Sequence, residues 1–444
     1  MIDKILKYSF VCCLLILSFF IGFLTNELKI KAFYEGSLYI LNDIDDRFTI
    51  NRKKRFGDRD LKSSSNFQNI ENLKIKKFNN FSGYEKPTAK FSNYLLIKHD
   101  NTTPVLMSSP DKVVWSWDLS NFRNSSKIIP YHMFRNGDLI IGKFETKGIY
   151  RIDKYGKIKW KLEKLNHHWG DIQNGKFYVP SRKFVSLPKQ IPKSLIQSEL
   201  KNCNYDKSAF DTLIIIDYES GKLIREIDLM NQLSKNKNFV NLVNLKIKQN
   251  KEICKDPLHL NDVRKLNKNQ ISLLKEKINL SSDEIVILSF RGLDTIIFYD
   301  IKNNIINSSI TDLFVQQHSP RLNADGFLYV FDNNSKNQES RIVKINLKDN
   351  STEGFFSTKK FKSPVRGRIQ FLRNNLYVQS STQGEIFNIV CEEKFFKNCK
   401  EKYLYSANFS FFYPTNEFNK DLTFKKDGIY IGDFYEKNYV QFIK

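Results

Sequence analysis

The stretch "NHHWGDIQNGKFYVPSR", residues 166–182, sets two of the chain's six histidines side by side just ahead of a turn and a strand. Imidazoles so placed can serve as nucleophile, proton carrier or metal ligand, or can merely open a strand. The other histidines discriminate between these. Aligned on the apolar residue before each polar turn, His168 lies four before Ile172, His259 four before Val263 and His318 four before Leu322. His132 lies only two before Phe134, and His99 stands outside the pattern. One histidine is more often packing than chemistry; three in one register are hard to explain as packing. Beside His259, "HLNDV" supplies Asn261 and Asp262, and "LSFRG" puts Arg291 at the end of the next strand. A guanidinium fork among several imidazoles makes a pocket for a compact, multiply oxygenated anion. His168 is expected to face that pocket and His167, one residue earlier, to point elsewhere. The absence of a C-x-x-C pair disfavours zinc, and no G-x-S-x-G elbow, P-loop or H-E-x-x-H supports another enzyme class.

The elements that must carry these residues repeat. Segments such as "HMFRNGDLIIGKFETKGIYRIDKYGKIKWKLE" from 132, "DEIVILSFRGLDTIIFYDIKNNII" from 283 and "RLNADGFLYVFDNN" from 321 share one pattern. Each has an apolar residue, an Asn-Gly-like turn, a strand, a break, a strand, a second turn and a third strand. Turn signals between apolar runs mark hairpins. A four-stranded hairpin unit recurring along a chain reads as a β-propeller, because each blade leaves an apolar face that only the next blade covers. We expect an all-β fold of six or seven blades over 90–444. The count turns on whether the segments near 90–118 and at the C-terminus share a blade that closes the ring. Inserts at about 184–208 and 229–282, the second including the helix-like "KNQISLLKEKI", are expected on a rim, where they shape a mouth. The strand that each registered histidine opens is the innermost of its blade, so the three converge on the central channel.

Composition agrees. Of 444 residues 41% are apolar, enough for a core, and aromatics reach 14%, with 37 Phe and 20 Tyr, which favours strands. The first residues differ in kind: after Lys4 and Lys7 an uncharged apolar run extends from Tyr8 to Thr25. At 1.5 Å per residue this run spans about 27 Å, near the hydrocarbon thickness a helix must cross. It exits through "GFLTNELK" without the small-residue site of a cleaved leader. We therefore expect an N-terminal transmembrane helix within 1–27 and a stalk and linker over 28–89. Lysines before the span put the body on the extracytoplasmic, periplasmic side. Cys12 and Cys13 lie in the span; Cys203, Cys254, Cys391 and Cys399 remain for the body. The close spacing in "CEEKFFKNC" favours Cys391 with Cys399, leaving Cys203 with Cys254. The net charge of +23 is spread along the chain and reads first as a solvated surface; the extracytoplasmic setting excludes nucleic acid as a partner.

The four motifs "HHWGDIQNGKFYV", "HLNDV", "ILSFRG" and "QQHSPRLNADGFLYVFDN", in that order, resemble the bacterial arylsulfotransferases that need no nucleotide sulfate donor. The resemblance covers roughly residues 90–443. It implies a six-bladed propeller that moves a sulfuryl group from an aryl sulfate to a phenol in two steps. His318 would attack sulfur and become a sulfo-histidine; His168, His259 and Arg291 would hold the sulfuryl oxygens and assist the leaving phenol. Asn261 would orient this shell, and His167 and Trp169 border the substrate. No metal or cofactor enters this chemistry. Well-studied members have an N-terminal β domain used in dimerisation where this chain has an anchor and linker, so the resemblance does not carry an oligomeric state. A propeller that binds an anionic glycan or a partner protein in the same pocket, without catalysis, is the alternative from another class.

Overall fold

The computed structural model describes residues 91–443, apart from segments within that range of which 407–428 is the longest. The expected anchor and stalk over 1–89 lie outside the described residues. Among the described residues no helix is long and apolar enough to cross a membrane.

The described strands form six four-stranded antiparallel sheets, which settles the blade number at six. Five blades are continuous in sequence: β4–β7 (Ile128–Met133 to Ile158–Leu165), β8–β11 (Asp171–Gln173 to Leu223–Asp228), β12–β15 (Leu260–Lys265 to Ile305–Thr311), β16–β19 (His318–Leu322 to Thr352–Phe356) and β20–β23 (Arg368–Leu372 to Cys399–Ser406). The sixth joins both ends of the chain. C-terminal β24 (Ile429–Tyr435) is its innermost strand and pairs with β1 (Tyr94–His99), followed by β2 (Val105–Ser109) and β3 (Lys112–Ser116), as the shared-blade reading requires.

Burial follows position within a blade. Middle strands such as β13 (Ile285–Phe290) and β14 (Thr295–Asp300) are buried at every residue, because a neighbouring blade covers each face. Outer β11 alternates between half-buried and exposed positions over Leu223–Glu226, as a half-solvated strand does. The turn after β8 is the Asn-Gly hairpin read in the sequence. Gln173 pairs with Lys176 across Asn174 and Gly175, both left-handed at φ 50° and 76°.

The inserts differ in one respect from the expected boundaries. Residues 184–208 extend the β9–β10 hairpin (Lys176–Leu187 and Tyr205–Asp217) and add short 3-10 turns. The second stretch is not one insert, because β12 interrupts it. Helices Leu229–Leu233 and Lys237–Gln249 precede β12, and helix Lys268–Lys275 follows it, starting from a capping box at Asn267 and Gln270. By strand direction, everything before β12 sits at the end of the axis where the histidines open their strands, and helix Lys268–Lys275 sits at the other end. Cys203 and Cys254 form a disulfide that joins the two inserts at the histidine end. Cys391 and Cys399 are directly opposed in the β22–β23 ladder.

Candidate active site

Histidines 168, 259 and 318 do converge. The ring centroids of His168 and His259 lie 5.0 Å apart and those of His168 and His318 6.1 Å. The backbone explains the meeting. His168 and His259 are both left-handed, at φ 65° and 49°, a conformation that His tolerates better than most L residues. Immediately beyond them two innermost strands bond to each other: Trp169 N donates to Asn261 O at 3.5 Å and Val263 N to Trp169 O at 3.2 Å. That contact between blades sets the two rings facing, with Nε2 to Nε2 at 3.0 Å.

Behind each ring stands a partner that fixes its tautomer. The Asp256 carboxylate accepts from His259 Nδ1 at 2.7 Å. In neutral His259 the Nε2 is then an acceptor, and His168 Nε2 supplies the proton between them. At His318, Nδ1 faces two acceptors, Asn333 Oδ1 at 2.6 Å and the Gln316 carbonyl at 3.0 Å. The Asn333 amide cannot be reversed, since its Nδ2 donates to the Ser363 and Arg366 carbonyls, both at 2.5 Å. Nδ1 therefore holds the proton and Nε2 the lone pair. Burial first, then the nearby Arg291 charge, pushes the His318 pKa down to about 3, against the hydrogen bond that His318 donates to Asn333. His168 and His259 are also lowered, chiefly by burial, with Asp256 opposing the shift at His259. All three are neutral at pH 7.

Arg291 begins the 3-10 turn after β13. Its N–H donates to His259 O at 3.1 Å, and Gly292 N donates to Leu258 O at 3.0 Å. A Cβ at Gly292 would come within 2.9 Å of the Pro257 carbonyl, so the glycine permits this approach. Arg291 Nη2 donates to Gln316 Oε1 at 3.0 Å, which aims the guanidinium at the blade that carries His318. Burial lowers its pKa, with Asp256 and Asp294 opposing.

The remaining expected residues fall around this centre. Asn261 is fully buried and donates Nδ2 to the Gln317 carbonyl at 2.6 Å, next to His318, where it orients rather than lines. His167 does not point away: its ring centroid is 4.0 Å from that of His168 and 5.0 Å from that of His259. The left-handed turn at His168 folds both rings to one side. His167 is fully buried, takes a 2.7 Å hydrogen bond at Nδ1 from Arg182 Nη2, and is stacked on Phe144. Trp169 is buried in the blade core with the Arg368 guanidinium 5.1 Å over its ring, so that face is already covered.

His167, His168 and His259 together offer ligand nitrogens within 4.8 Å of one another, a spacing that suits a transition metal. Arg182 and Arg291 beside them favour an anion instead. Asp256, Asn333, Gln316 and Arg182 were not read from the sequence. Asp256 and Gln316 are local, three residues before His259 in "DPLH" and two before His318 in "QQH"; Asn333 and Arg182 reach their histidines only across strands.

The site is thus an imidazole and guanidinium cluster on the axis of a six-bladed propeller. A family model described as Arylsulfotransferase (ASST) matches residues 184–396, which include His259, Arg291 and His318. His168 lies before the matched residues. A search of curated proteins finds no match. Solved structures similar to the chain include a protein of unknown function from Bacteroides caccae, at 11% identity over 67% of this chain and 90% of that one, TM-score 0.37. Virginiamycin B lyase from Staphylococcus aureus matches at 11% over 70% and 84%, TM-score 0.35. A streptogramin B lyase matches at 10% over 72% and 86%, TM-score 0.39. Likenesses this weak carry no functional weight.

Proposed function

We propose that the protein transfers a sulfuryl group from an aryl sulfate to a phenol through a sulfo-histidine on His318. One observation carries the reading: Asn333 and the Gln316 carbonyl hold the His318 proton on Nδ1, leaving the Nε2 lone pair in a site bordered by Arg291 and the His168–His259 pair. In the first half-reaction His318 Nε2 attacks sulfur and the S–O(aryl) bond breaks. The His168–His259 pair, neutral in the free site, takes up a proton from solvent as the anionic donor binds, Asp256 stabilises the resulting cation, and the pair passes that proton to the leaving phenolate. Arg291 offers its remaining N–H groups to the sulfuryl oxygens, where negative charge gathers. In the second half-reaction the acceptor phenol returns a proton to the pair and attacks sulfur. The S–N bond then breaks and His318 is restored. Splitting the transfer removes the need to hold two phenols at once. The setting in this reading is extracytoplasmic, with the apolar Tyr8–Thr25 run as anchor.

The test incubates the protein with 4-nitrophenyl sulfate alone and then with a phenol, following nitrophenol release and the mass of the peptide that contains His318. A burst of release with one added sulfuryl group on His318, discharged by the phenol, is expected. Absence of turnover and adduct across a panel of aryl sulfates would leave the anion-binding propeller as the better reading.

A further inference from the structure

The innermost strands carry a second polar layer at the end of the axis away from the histidines. Cross-strand register brings one residue from each blade to this level: Asp433, His132, Asp171, Arg264, Arg321 and Gln370. None is apolar. A cavity of about 500 Å³ opens there, with Arg321, His132, Ile369, Leu372 and Tyr435 in its wall.

Two of its guanidinium groups are already matched. Arg368 donates through Nε and Nη2 to the two oxygens of Asp433, both at 2.7 Å. Arg264 pairs with Asp262, Nη2 to Oδ2 at 3.1 Å, and with Asp171, Nη1 to Oδ1 at 3.3 Å. Arg321 is not matched in this way. Its bonds run from Nη1, at 2.8 Å to the Pro320 carbonyl and 3.5 Å to Asp262 Oδ1, an oxygen that already faces Arg264. Yet its side chain is only 15% exposed. Neighbouring polar groups do not relieve it: the Gln370 amide is spent on the Phe434 backbone at 2.8 and 2.7 Å, and the Tyr439 hydroxyl donates to Met133 O at 2.9 Å. Burial, then Arg264, pushes the Arg321 pKa down to about 9, with Asp262 opposing, so the charge persists at neutral pH and is held at a cost.

We propose that this cavity is a second binding site, for a small organic oxyanion whose carboxylate or sulfo head pairs with Arg321 while its body lies against Leu372 and Tyr435. Two oxygens of either head can pair with Nε and Nη2 of Arg321, which carry none of its hydrogen bonds among the described residues. The site is distinct from the histidine end. Trp169 and Arg368 meet at 5.1 Å from opposite blades between the two.

Titration calorimetry on the full chain, with benzoate and benzenesulfonate as probes and benzyl alcohol as the neutral control, tests this. Both anions are expected to bind and the alcohol not. Arg321→Met should weaken binding by about tenfold or more. Asn438→Asp, which adds a negative charge at the exposed rim, should weaken it several-fold, and His318→Ala should leave it unchanged. The proposal is overturned if neither anion binds, if benzyl alcohol binds equally, or if folded Arg321→Met binds like the wild type. Loss of binding in His318→Ala would overturn it too, by moving the site to the histidine end. Should Arg321→Met fail to fold, an unchanged affinity in Asn438→Asp overturns it alone.

Discussion

His318 and His132 sit on innermost strands at opposite ends of one axis, and burial depresses both, to about 3 and about 4. Neutrality at pH 7 is therefore common to the two and does not mark the nucleophile. What differs is which nitrogen is spoken for. At His318 the acceptors crowd Nδ1 and Nε2 is left for chemistry. At His132 the Tyr439 hydroxyl meets Nε2 at 3.3 Å, and the hydroxyl proton is itself committed to Met133 O. The surrounding charges differ as well. Arg291 stands open beside the histidines, whereas Arg368 near His132 is closed by both oxygens of Asp433. Reactivity at one end comes from partners placed behind the reacting groups.

The comparison breaks most sharply at the nucleophile. His318→Ala should reduce sulfuryl transfer by at least about 10³-fold while His132→Ala retains it, measured as nitrophenol release. Equal loss in both would erase the distinction. Asp256→Asn comes next, since an amide can present N–H to His259 Nδ1 and reverse its tautomer. We expect kcat to fall by about 10²-fold with KM little changed, in steady-state kinetics on the same substrate. The disulfide-joined inserts at the histidine end give a third test. Cys254 lies two residues before Asp256, and helix Lys237–Gln249 holds Asp294 through Lys246 at 2.9 Å, while Asp294 Oδ1 accepts from Gln316 N at 2.7 Å. Cys203→Ser with Cys254→Ser should cost about 2–4 kcal/mol in denaturant unfolding. It should also lower kcat, with anion binding at the far cavity unchanged.

The smallest effect is shared by both ends. Five histidines, 132, 167, 168, 259 and 318, have folded pKa values below that of a free imidazole. Below about pH 6.5 the unfolded chain takes up protons that the folded chain refuses, so stability falls as pH falls, from about 6.5 toward about 3. Melting temperature followed across that window should decline, and less steeply in His132→Gln.

The blades were legible because hairpin turns and apolar runs are local signals. Asn174–Gly175 could be assigned a turn from two residues, and β13 and β14 announce themselves by the short apolar runs Ile285–Leu288 and Ile296–Tyr299. The registered histidines were legible for the same reason, each being a fixed number of residues from its turn. His167 was misread because side-chain direction before a strand depends on the left-handed φ of His168, which no neighbour in sequence dictates. Trp169 looked available to substrate because its cover, Arg368, comes from the opposite blade.

Sequence alone therefore determined the hairpin repeat and the arrival of three imidazoles and Arg291 at one mouth, while the β24–β1 pairing decided how the ring closes. Only the tertiary structure decided how those groups are tuned. Asp256, Asn333 and Gln316 select tautomers over distances of two to three ångströms, and Asn333 meets His318 from the neighbouring strand of its blade. It also separated Arg321 from Arg264 and Arg368, which look alike in sequence and differ only in which carboxylate the fold sets against each. Periodicity along a chain is written residue by residue, but hydrogen-bond partnership depends on positions in space that packing alone fixes.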